Sequence, residues 1–493
     1  MKINKVMFII PPLISFSDGN DINPVPPLGL GYLASNLQNH GFNVRILDCL
    51  VEGFYAKEII SSEKVRIGLR FEDIVKKING YKPDMVGISC QFSCQHDNYK
   101  SFSNYVKQNF PDCILVAGGA HATVCTEELF WNSGLDFILR SEADRSLISL
   151  IKTINSQMSF SEVDGLCWKM DGKVIINQKK LWIENLDCLP FPSFKTMNLK
   201  KYRGLSSSHG LRKKQSFSPI ITSRGCPATC TFCSANQVWG KKYRFRSVEN
   251  VIEEMRILKD QFGIEEILFE DDNLTANPKR AKALFRAMIR ENFNFAWDTP
   301  NGVGIWTIDN EMIDLMKESG CYRLNFPIES ASKRVLNCLI KKPLDINKAK
   351  QSLEYCKKIG LDTGIFLVAG FPGETPEELW KSFKFSLECK VYFPHISYAV
   401  PYPGTEMKKI CEEKNYIVGS PGFENLHTGN FYIQTPFMKR KQFFKTIRIA
   451  KNYMRIRHLY SFYYPPGKIL IWMLKKLGIF MRNYFSFNIE TRH

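Results

Sequence analysis

Long apolar runs are missing from this sequence of 493 residues. No stretch reaches the 18 or more consecutive apolar residues that a membrane-spanning helix requires, which excludes that class of element. The short apolar run KVMFII near the N-terminus is not followed by a small-residue cleavage site, so it is predicted to be a first β-strand and not a signal peptide. We therefore expect a cytoplasmic protein.

Acidic residues are scarce at the C-terminal end. Residues 431–493 hold 13 Lys and Arg but one acidic residue, Glu490, so 12 of the 18 net positive charges lie there. An anionic partner is therefore expected at this tail, and a nucleic-acid-binding body is not. Because KRKQFFKTIRIAKNYMRIRHLY and GKILIWMLKKLGIFMRNYF mix basic and apolar residues, the tail is interpreted as a helical cap on the preceding domain. Peripheral contact with the inner membrane face is the first alternative and RNA binding the second.

The 15 cysteines do not form the dense pattern of a disulfide scaffold. Most lie in apolar stretches, as Cys113 and Cys321 do, where cysteine behaves as a small hydrophobic residue. Only Cys226, Cys230 and Cys233 are clustered at the spacing of metal ligands. Both features fit a reducing compartment.

The first 155 residues alternate between predicted strands and helices. Buried strands separated by helices of this length predict a parallel, doubly wound sheet, whose ligands bind beyond the carboxyl ends of the strands. A turn at Asp171-Gly172 and a polar connection predict a hairpin and linker over residues 156–217. The expected strand ends are Pro11-Pro12, Asp48, Ser89 to Gln91, and Gly118-Gly119.

The alternation of strands and helices resumes at Ser218. Six candidate strands with five helices between them predict a partial (β/α)6 barrel over residues 218–410, followed by a helical basic region over residues 411–493. The chemistry of such barrels lies at the C-terminal ends of the strands. The strands are predicted at PIITS, EILFED, FAWDTPN, YRLNFPI, TGIFLVAG and HISYAVP.

The strongest motif is the segment from Arg224 to Cys233, directly after the first barrel strand. Its three cysteines are spaced C-x3-C-x2-C. Three thiolates on one loop suit three irons of a cubane cluster, and the fourth iron is then open to a substrate. A structural zinc site is the alternative, but it requires four ligands. The nearest candidate for the fourth, His209, lies 17 residues upstream in a polar linker.

This loop resembles the signature of the radical SAM superfamily, C-x3-C-x-aromatic-C. Three later strand ends resemble further segments of that superfamily. FEDDNLT is similar to the FxDDxFT segment of cobalamin-dependent members, IES resembles the ribose-binding motif, and GIFLVAGFPGE resembles the segment that lies against the adenine. The resemblance implies that the three cysteines hold a 4Fe–4S cluster that cleaves S-adenosylmethionine. The residues implied to bind S-adenosylmethionine are Phe232, Asp271, Asp272, Glu329, Ser330 and Gly370.

The N-terminal domain resembles the cobalamin-binding Rossmann-like domain that precedes the barrel in one radical SAM branch. PPLGLGYLAS, GISCQFS, AGGAHAT and SEAD carry this resemblance. Many cobalamin domains use D-x-H-x-x-G, whose His coordinates cobalt, whereas this chain has Leu50 at that position. The departure resembles the radical methylase branch; a doubly wound domain for another ligand, or for none, is the alternative. The residues implied to bind cobalamin are Ser89, Gln91, Gly118, Gly119, His121, Thr123 and Glu142.

The resemblance of both domains implies an enzyme that transfers a methyl group from methylcobalamin to an unactivated carbon after hydrogen abstraction by a 5′-deoxyadenosyl radical. A cyclisation or oxidative rearrangement without methyl transfer, as in the anaerobic magnesium-protoporphyrin cyclase, uses the same cofactors and remains an alternative. A tRNA-modifying radical enzyme and a non-enzymatic cofactor sensor are two others. The implied partners are a small-molecule or lipid-like substrate and a flavodoxin- or ferredoxin-type electron donor.

Overall fold

The computed structural model describes residues 2–16, 24–205, 212–419 and 421–463, with side chains up to residue 459. His209 and the tail segment GKILIWMLKKLGIFMRNYF lie outside the described residues. Within the part that is described, no helix combines the length and the hydropathy needed to cross a membrane.

The N-terminal domain contains a seven-stranded sheet with the order β10-β9-β8-β7-β6-β1-β3. Five neighbouring strands of this sheet pair in parallel, as predicted: β3, β1, β6, β7 and β8. Their order is that of a doubly wound sheet of the flavodoxin type. The strands of this domain are β1 (Lys5–Ile10), β2 (Leu13–Phe16), β3 (Asn43–Asp48), β4 (Lys57–Ile59), β5 (Lys64–Ile67), β6 (Met85–Ser89), β7 (Ile114–Gly118), β8 (Phe137–Leu139), β9 (Leu166–Met170) and β10 (Lys173–Ile176).

Helices cover both faces of this sheet, and two apolar clusters form the core of the domain, one on each face. Helices α3 and α4 pack on one face, and α1 and α7 pack on the other. The shorter helices α2, α5 and α6 follow strand ends. The bounds are α1 (Leu28–Asn39), α2 (Cys49–Glu52), α3 (Phe71–Tyr81), α4 (His96–Asn109), α5 (Ala120–Val124), α6 (Thr126–Phe130) and α7 (Asp144–Asn155).

Two features of this domain differ from the prediction. The hairpin of β9 and β10, which was predicted to belong to the linker, pairs antiparallel with β8 and extends the first sheet. Leu166 and Cys167 are fully buried there, so the pairing covers apolar surface at an edge that would otherwise be open. A small antiparallel sheet of β2, β5 and β4, absent from the prediction, lies beside the strand ends.

The second domain is an open barrel of six parallel strands, as predicted. The ladder β11-β14-β15 is joined to β16-β17-β18 by a parallel bridge between Trp297 and Cys321. Strands β12 and β13 form a separate two-stranded pair. The strands are β11 (Phe217–Ile220), β12 (Ser223–Arg224), β13 (Arg244–Phe245), β14 (Glu266–Phe269), β15 (Ala296–Asp298), β16 (Arg323–Glu329), β17 (Asp362–Ala369) and β18 (His395–Tyr398).

Five crossover helices surround the barrel, and local sequence fixes their ends. Ser247 caps the first turn of α10 and Gly263 ends that helix in the left-handed conformation. Thr375 and Glu378 form a capping box at α14. The helices are α8 (Phe194–Met197) before the barrel, then α9 (Ala235–Trp239), α10 (Val248–Phe262), α11 (Pro278–Arg290), α12 (Asn310–Glu318), α13 (Ile346–Lys358), α14 (Pro376–Glu388), α15 (Glu406–Glu413) and α16 (Arg440–Tyr463).

Helix α16 is the described part of the basic tail. Its buried residues Phe443, Ile447, Ala450 and Met454 form one stripe at helical spacing and belong to the core of the barrel. Its described Lys and Arg side chains are exposed to solvent. This part of the tail is therefore the helical cap that the sequence predicts.

Candidate active site

The cysteine triplet lies in a loop whose two ends are held together. Strand β12 leads into the loop and β13 leads out, and their pairing sets Arg224 opposite Arg244. Inside the loop, the Thr231 amide donates a hydrogen bond to the Ile340 carbonyl at 3.0 Å, and the Met407 amide donates to the Thr231 carbonyl at 2.8 Å. The loop is thus fixed to the C-terminal face of the barrel, where the chemistry is expected.

Burial raises the pKa of all three thiols in this loop, in the case of Cys230 to about 12. The Lys342 ammonium opposes this effect at each of them. Three thiols on one loop, with an ammonium group beside them that favours their thiolate form, suit an iron cluster. No group of three or more His, Cys, Asp or Glu among the described residues is arranged around one metal ion. In a cubane each thiolate binds a different iron.

The two predicted aspartates after β14 have different surroundings. Asp271 is buried and accepts hydrogen bonds from the Thr222 amide and hydroxyl and from the Ser223 hydroxyl. Protein donors therefore occupy its carboxylate, and the contact of Asp271 with S-adenosylmethionine stays a prediction that these contacts do not support. Asp272 is exposed toward the loop and accepts from the Gly225 amide. Although the side chain reaches solvent, the groups around its carboxylate remove part of its hydration. This desolvation and the nearby Asp271 charge raise its pKa to about 6.

Glu329 ends β16 at a bulge, with a φ of 60°. Its carboxylate accepts from the Lys342 ammonium at 2.8 Å, and both side chains are less than 10% exposed. Lys342 faces the thiols as well, so it is a functional candidate that sequence reasoning missed. The neighbouring Ser330 is fully buried, and its hydroxyl lies 3.3 Å from that of Ser382 in α14. The Ser330 side chain thus pairs inside the protein, and its cofactor role stays a prediction that this contact does not support.

Gly370 directly follows β17 and has a φ of 88°, a conformation that glycine adopts without strain. Its amide and that of Phe371 donate to one oxygen of the buried Glu374 carboxylate. The ring of Phe371 lies 5.7 Å from that of Phe232, so the aromatic residue of the cysteine loop sits beside this turn. A Cβ atom at position 370 would come within 3.0 Å of the Phe443 ring of α16, so the capping helix packs closely on this turn.

A cavity of about 550 Å³ lies at the carboxyl ends of the N-terminal strands, next to the switch point between β1 and β6. Its size is that of a ligand site. Five of the residues predicted from the sequence line it: Ser89, Gln91, Gly118, Gly119 and Glu142. The barrel closes its other side with Ile221, Arg224, Val238, Trp239 and Glu270.

Comparisons with known proteins match both domains. Residues 220–386 match the radical SAM superfamily, and residues 22–151 match the B12 binding domain. The chain is 33% identical to the cytidylyl-2-hydroxyethylphosphonate methyltransferase of Streptomyces wedmorensis, over 79% of this chain and 78% of that protein. It is 31% identical to an uncharacterized methyltransferase of Pyrococcus horikoshii, over 96% of this chain and 95% of the other. The chain belongs to the cobalamin-dependent radical SAM methyltransferase family.

A solved structure has the same fold. The chain is similar to the cobalamin-dependent S-adenosylmethionine radical enzyme OxsB with aqua-cobalamin and S-adenosylmethionine bound, with a TM-score of 0.70 and 18% identity over 98% of this chain and 71% of that chain. As a member of this family the chain is an enzyme with three cofactors, a 4Fe–4S cluster, S-adenosylmethionine and cobalamin. Radical SAM enzymes act on small-molecule substrates and require an electron donor.

The cavity of this cobalamin-dependent enzyme suits a ligand held by shape. Leu50 lines it where other cobalamin domains have a cobalt-binding His, and none of its described lining residues is a histidine. Asp48, two residues earlier, accepts from the Tyr202 hydroxyl at 2.7 Å, and burial raises its pKa to about 6. The chain therefore offers no imidazole ligand to cobalt among the lining residues that are described.

Two residues that were predicted to bind cobalamin, His121 and Thr123, do not line the cavity. His121 turns to the other side of α5, where one of its ring nitrogens lies 2.9 Å from His96 and the other 3.0 Å from the Ser93 hydroxyl. Thr123 accepts from the Ser141 amide and donates to the Gly119 carbonyl. Both side chains thus have partners inside the protein, whereas Gly118 and Gly119 before them line the cavity, so their contacts with cobalamin stay predictions that this geometry does not support.

Glu142 lines the cavity, but its carboxylate oxygens are engaged with Arg224, Arg244 and the Ile183 amide. It is therefore part of the wall, and the predicted direct contact with cobalamin is not supported by these contacts. Glu270, which the sequence analysis did not select, faces the cavity from the end of β14. Burial raises the pKa of this carboxyl group to about 7. In the sequence, its position directly before the two predicted aspartates could have identified it as a candidate site residue.

Proposed function

We propose that this enzyme transfers a methyl group to an unactivated carbon of a small-molecule or lipid-like substrate. When bound, the cofactors supply hydrogen abstraction by a 5′-deoxyadenosyl radical and a methyl group from methylcobalamin. The protein supplies placement of the cofactors and exclusion of water.

The observation that carries the proposal is the shared cavity. Its walls come from the cobalamin domain on one side and from the barrel on the other, including Arg224 at the start of the cysteine loop. A substrate between the two cofactors would thus be close to both, as methyl transfer to a carbon radical requires. The mostly apolar lining excludes water from that space.

The barrel residues have separate roles in this proposal. Cys226, Cys230 and Cys233 hold the cluster. Asp272 accepts a charge-assisted hydrogen bond from the ammonium of S-adenosylmethionine, and Glu329 accepts hydrogen bonds from its ribose. Phe232 and the backbone around Gly370 contact the adenine. In the N-terminal domain, Ser89, Gln91 and the Gly118-Gly119 turn hold cobalamin.

Anaerobic reconstitution with iron, sulfide and hydroxocobalamin tests the cofactor sites, and the absorption spectrum should show the cluster and a base-off cobalamin. S-adenosylmethionine with a trideuterated methyl group then tests the reaction. With a chemical reductant present to bring the cobalt to the Co(I) state, we expect the label on cobalamin together with S-adenosylhomocysteine. Formation of 5′-deoxyadenosine without labelled cobalamin would favour a cyclase or rearrangement enzyme, and no turnover under reducing conditions would favour a sensor.

We propose a flavodoxin- or ferredoxin-type protein as the electron donor and the cytoplasm as the location. Since the apolar stripe of α16 is already covered by the barrel, contact with the inner membrane face would depend on its exposed basic residues. Sedimentation with vesicles that contain anionic lipid tests this contact at low and high salt. The absence of an RNA-binding module from the sequence argues against a tRNA substrate.

A further inference from the structure

The two ends of the cysteine loop carry arginines that lie side by side. Arg224, two residues before the first cysteine, is the cross-strand neighbour of Arg244 on the returning strand. Both guanidinium groups are at most 5% exposed. Two buried cations on neighbouring strands repel each other, and a buried charge without a partner of opposite sign is strongly unfavourable. The closed base of the loop therefore requires an anion.

That anion comes from the other domain. Glu142 accepts from Arg224 Nη1 at 2.5 Å and from Arg244 Nη1 at 3.0 Å, so one carboxylate bridges both ends of the loop. Asp144 adds a two-pronged contact to Arg224 at 2.8 and 3.2 Å. The Ile183 amide donates to the second oxygen of Glu142 at 2.9 Å. A single acidic residue of the N-terminal domain thus pairs with both arginines.

The segment that carries these acids is also a wall of the cobalamin cavity. Residues 141–144 lead from the connection after β8 into the first residue of α7, and all four line the cavity. Ser141 donates to the Gln237 carbonyl inside the cysteine loop at 2.8 Å. Three side chains of one short segment therefore contact the cysteine loop, while the same segment faces the cofactor cavity. A shift of this wall moves the base of the loop with it.

We propose that Glu142 is a positioning residue that clamps both ends of the cluster loop to the wall of the cobalamin cavity, so that occupancy of one cofactor site changes the affinity of the other. The inference rests on the two cofactor sites of the proposed function and not on the group that is transferred. Reciprocity follows from linkage: if the cluster strengthens cobalamin binding, cobalamin stabilises the cluster by the same factor.

A matched control exists inside the barrel. Arg246 and Glu254 form a buried ion pair of the same chemistry, with both side chains at most 4% exposed. Arg246 lies just outside the cysteine loop and donates to the Tyr32 hydroxyl of the cavity wall, but Asn250 and the Ile221 carbonyl hold it as well, and its partner Glu254 lies on α10. Glu254→Gln should therefore reduce the stability of the barrel and leave communication between the cofactor sites intact.

The test compares hydroxocobalamin affinity in the cluster-free and the cluster-reconstituted protein, measured by absorbance titration under anaerobic conditions. We expect the wild-type protein to bind hydroxocobalamin about tenfold more tightly when the cluster is present, a ratio in the usual range of coupled sites. Glu142→Gln should bring this ratio close to one. Glu254→Gln should keep the wild-type ratio. The electron paramagnetic resonance spectrum of the reduced cluster should respond to cobalamin in the wild type and in Glu254→Gln but not in Glu142→Gln.

The outcomes separate the two proposals. A wild-type protein that binds neither cofactor contradicts the proposed function, whereas one that binds both with a ratio of one overturns the coupling alone. The coupling through Glu142 is also overturned if Glu142→Gln keeps the wild-type ratio of affinities, or if Glu254→Gln lowers this ratio as much as Glu142→Gln does. If Glu142→Gln does not fold, Arg224→Lys takes its place, because an ammonium keeps the charge but cannot make the forked contact to Asp144 and Glu142. That variant must then lower the ratio.

Discussion

The two cofactor regions of this enzyme differ in the chemical character of the groups that line them. The cysteine loop and the barrel ends beside it present ionisable side chains, among them three thiols, Asp272 and the Lys342–Glu329 pair. The cavity in the N-terminal domain is lined mostly by apolar side chains and by backbone at the Gly118-Gly119 turn. The cluster region thus binds by charge and coordination, whereas the cobalamin region binds by shape.

This difference determines how each region should fail. Loss of one ligand or one charge removes an interaction that no neighbour replaces, so single side chains dominate the cluster region. In the cavity, many weak contacts share the binding, and a variant acts when it changes the shape of the wall. Variants of the two regions should therefore affect different cofactors.

The largest effect is expected at Cys230. Replacing it with Ala removes one thiolate from the loop, so iron content after reconstitution should fall and cleavage of S-adenosylmethionine should decrease by at least about a hundredfold. Cobalamin binding to the cluster-free protein should persist. Cys188→Ala, at an exposed cysteine outside the loop, is the control and should retain full iron content. Equal iron content in both variants would contradict the assignment of the cluster.

The next effect separates Asp272 from Asp271. Asp272→Asn removes the charge that faces the loop, and the affinity of the cluster-loaded enzyme for S-adenosylmethionine should fall about 10- to 100-fold. The fold should be unaffected because this side chain is exposed. Equilibrium dialysis measures the affinity.

Asp271→Asn is the matched control for that change. It disturbs a buried carboxylate with several protein donors, so the free energy of unfolding should decrease by about 2 kcal/mol while the affinity for S-adenosylmethionine changes little. An exchange of these two results would show that Asp271 faces the cofactor.

The same difference explains what the sequence could predict. The three cysteines and Asp272 could be selected as candidate site residues because metal coordination and charge depend on residue type and spacing, and both can be read directly from the sequence. His121, Thr123 and Ser330 follow strand ends as well, but the direction of each side chain depends on the backbone of its turn. Gly119, with a φ of 113°, turns the chain so that His121 meets His96. Such a direction is not recorded in a local motif.

Long-range pairs were also beyond the sequence. Glu142 and Arg244 are separated by 102 positions and meet only because two domains pack together. Lys342 reaches Glu329 across 13 positions through an irregular segment that has no spacing rule. Strand and helix positions, by contrast, follow from local periodicity, so the doubly wound sheet and the six barrel strands were predicted correctly. The hairpin at β9 and β10 was recognised, but its sheet partner β8 was not.

A glycine exchange tests the shape-based side of the comparison. Gly119→Ala adds a Cβ atom 2.6 Å from the Cys90 carbonyl at the cavity wall, so the turn must shift, and the dissociation constant for hydroxocobalamin should rise about tenfold. Gly172→Ala is the control, because its φ of 71° is also positive while its Cβ atom meets open space in a distant hairpin. Gly172→Ala should lose about 1 kcal/mol of stability, and Gly119→Ala should lose more because of its backbone contact. Equal cobalamin affinities would contradict the cavity as the binding site.

The smallest effect on cofactor binding is expected at His121, whose imidazole is buried beside His96 and Phe423. Burial and the neighbouring His96 lower its pKa to about 3, and burial lowers that of His96 to about 4. The unfolded chain therefore binds more protons than the folded protein below about pH 6.5, so the free energy of unfolding should fall as the pH decreases. Between pH 7 and pH 5 the loss should be on the order of 1–2 kcal/mol per histidine.

Urea unfolding of the wild type and of His121→Gln at pH 7 and pH 5 measures this dependence, with His40→Gln at an exposed position as the control. The His121 variant should lose its share of the acid sensitivity, and the His40 variant should behave as the wild type. At pH 7 both variants should bind hydroxocobalamin within about twofold of the wild-type affinity, because neither side chain lines the cavity. A large loss of cobalamin affinity in His121→Gln at unchanged stability would place that imidazole in the cavity, and the cobalamin region would then bind through a side chain after all.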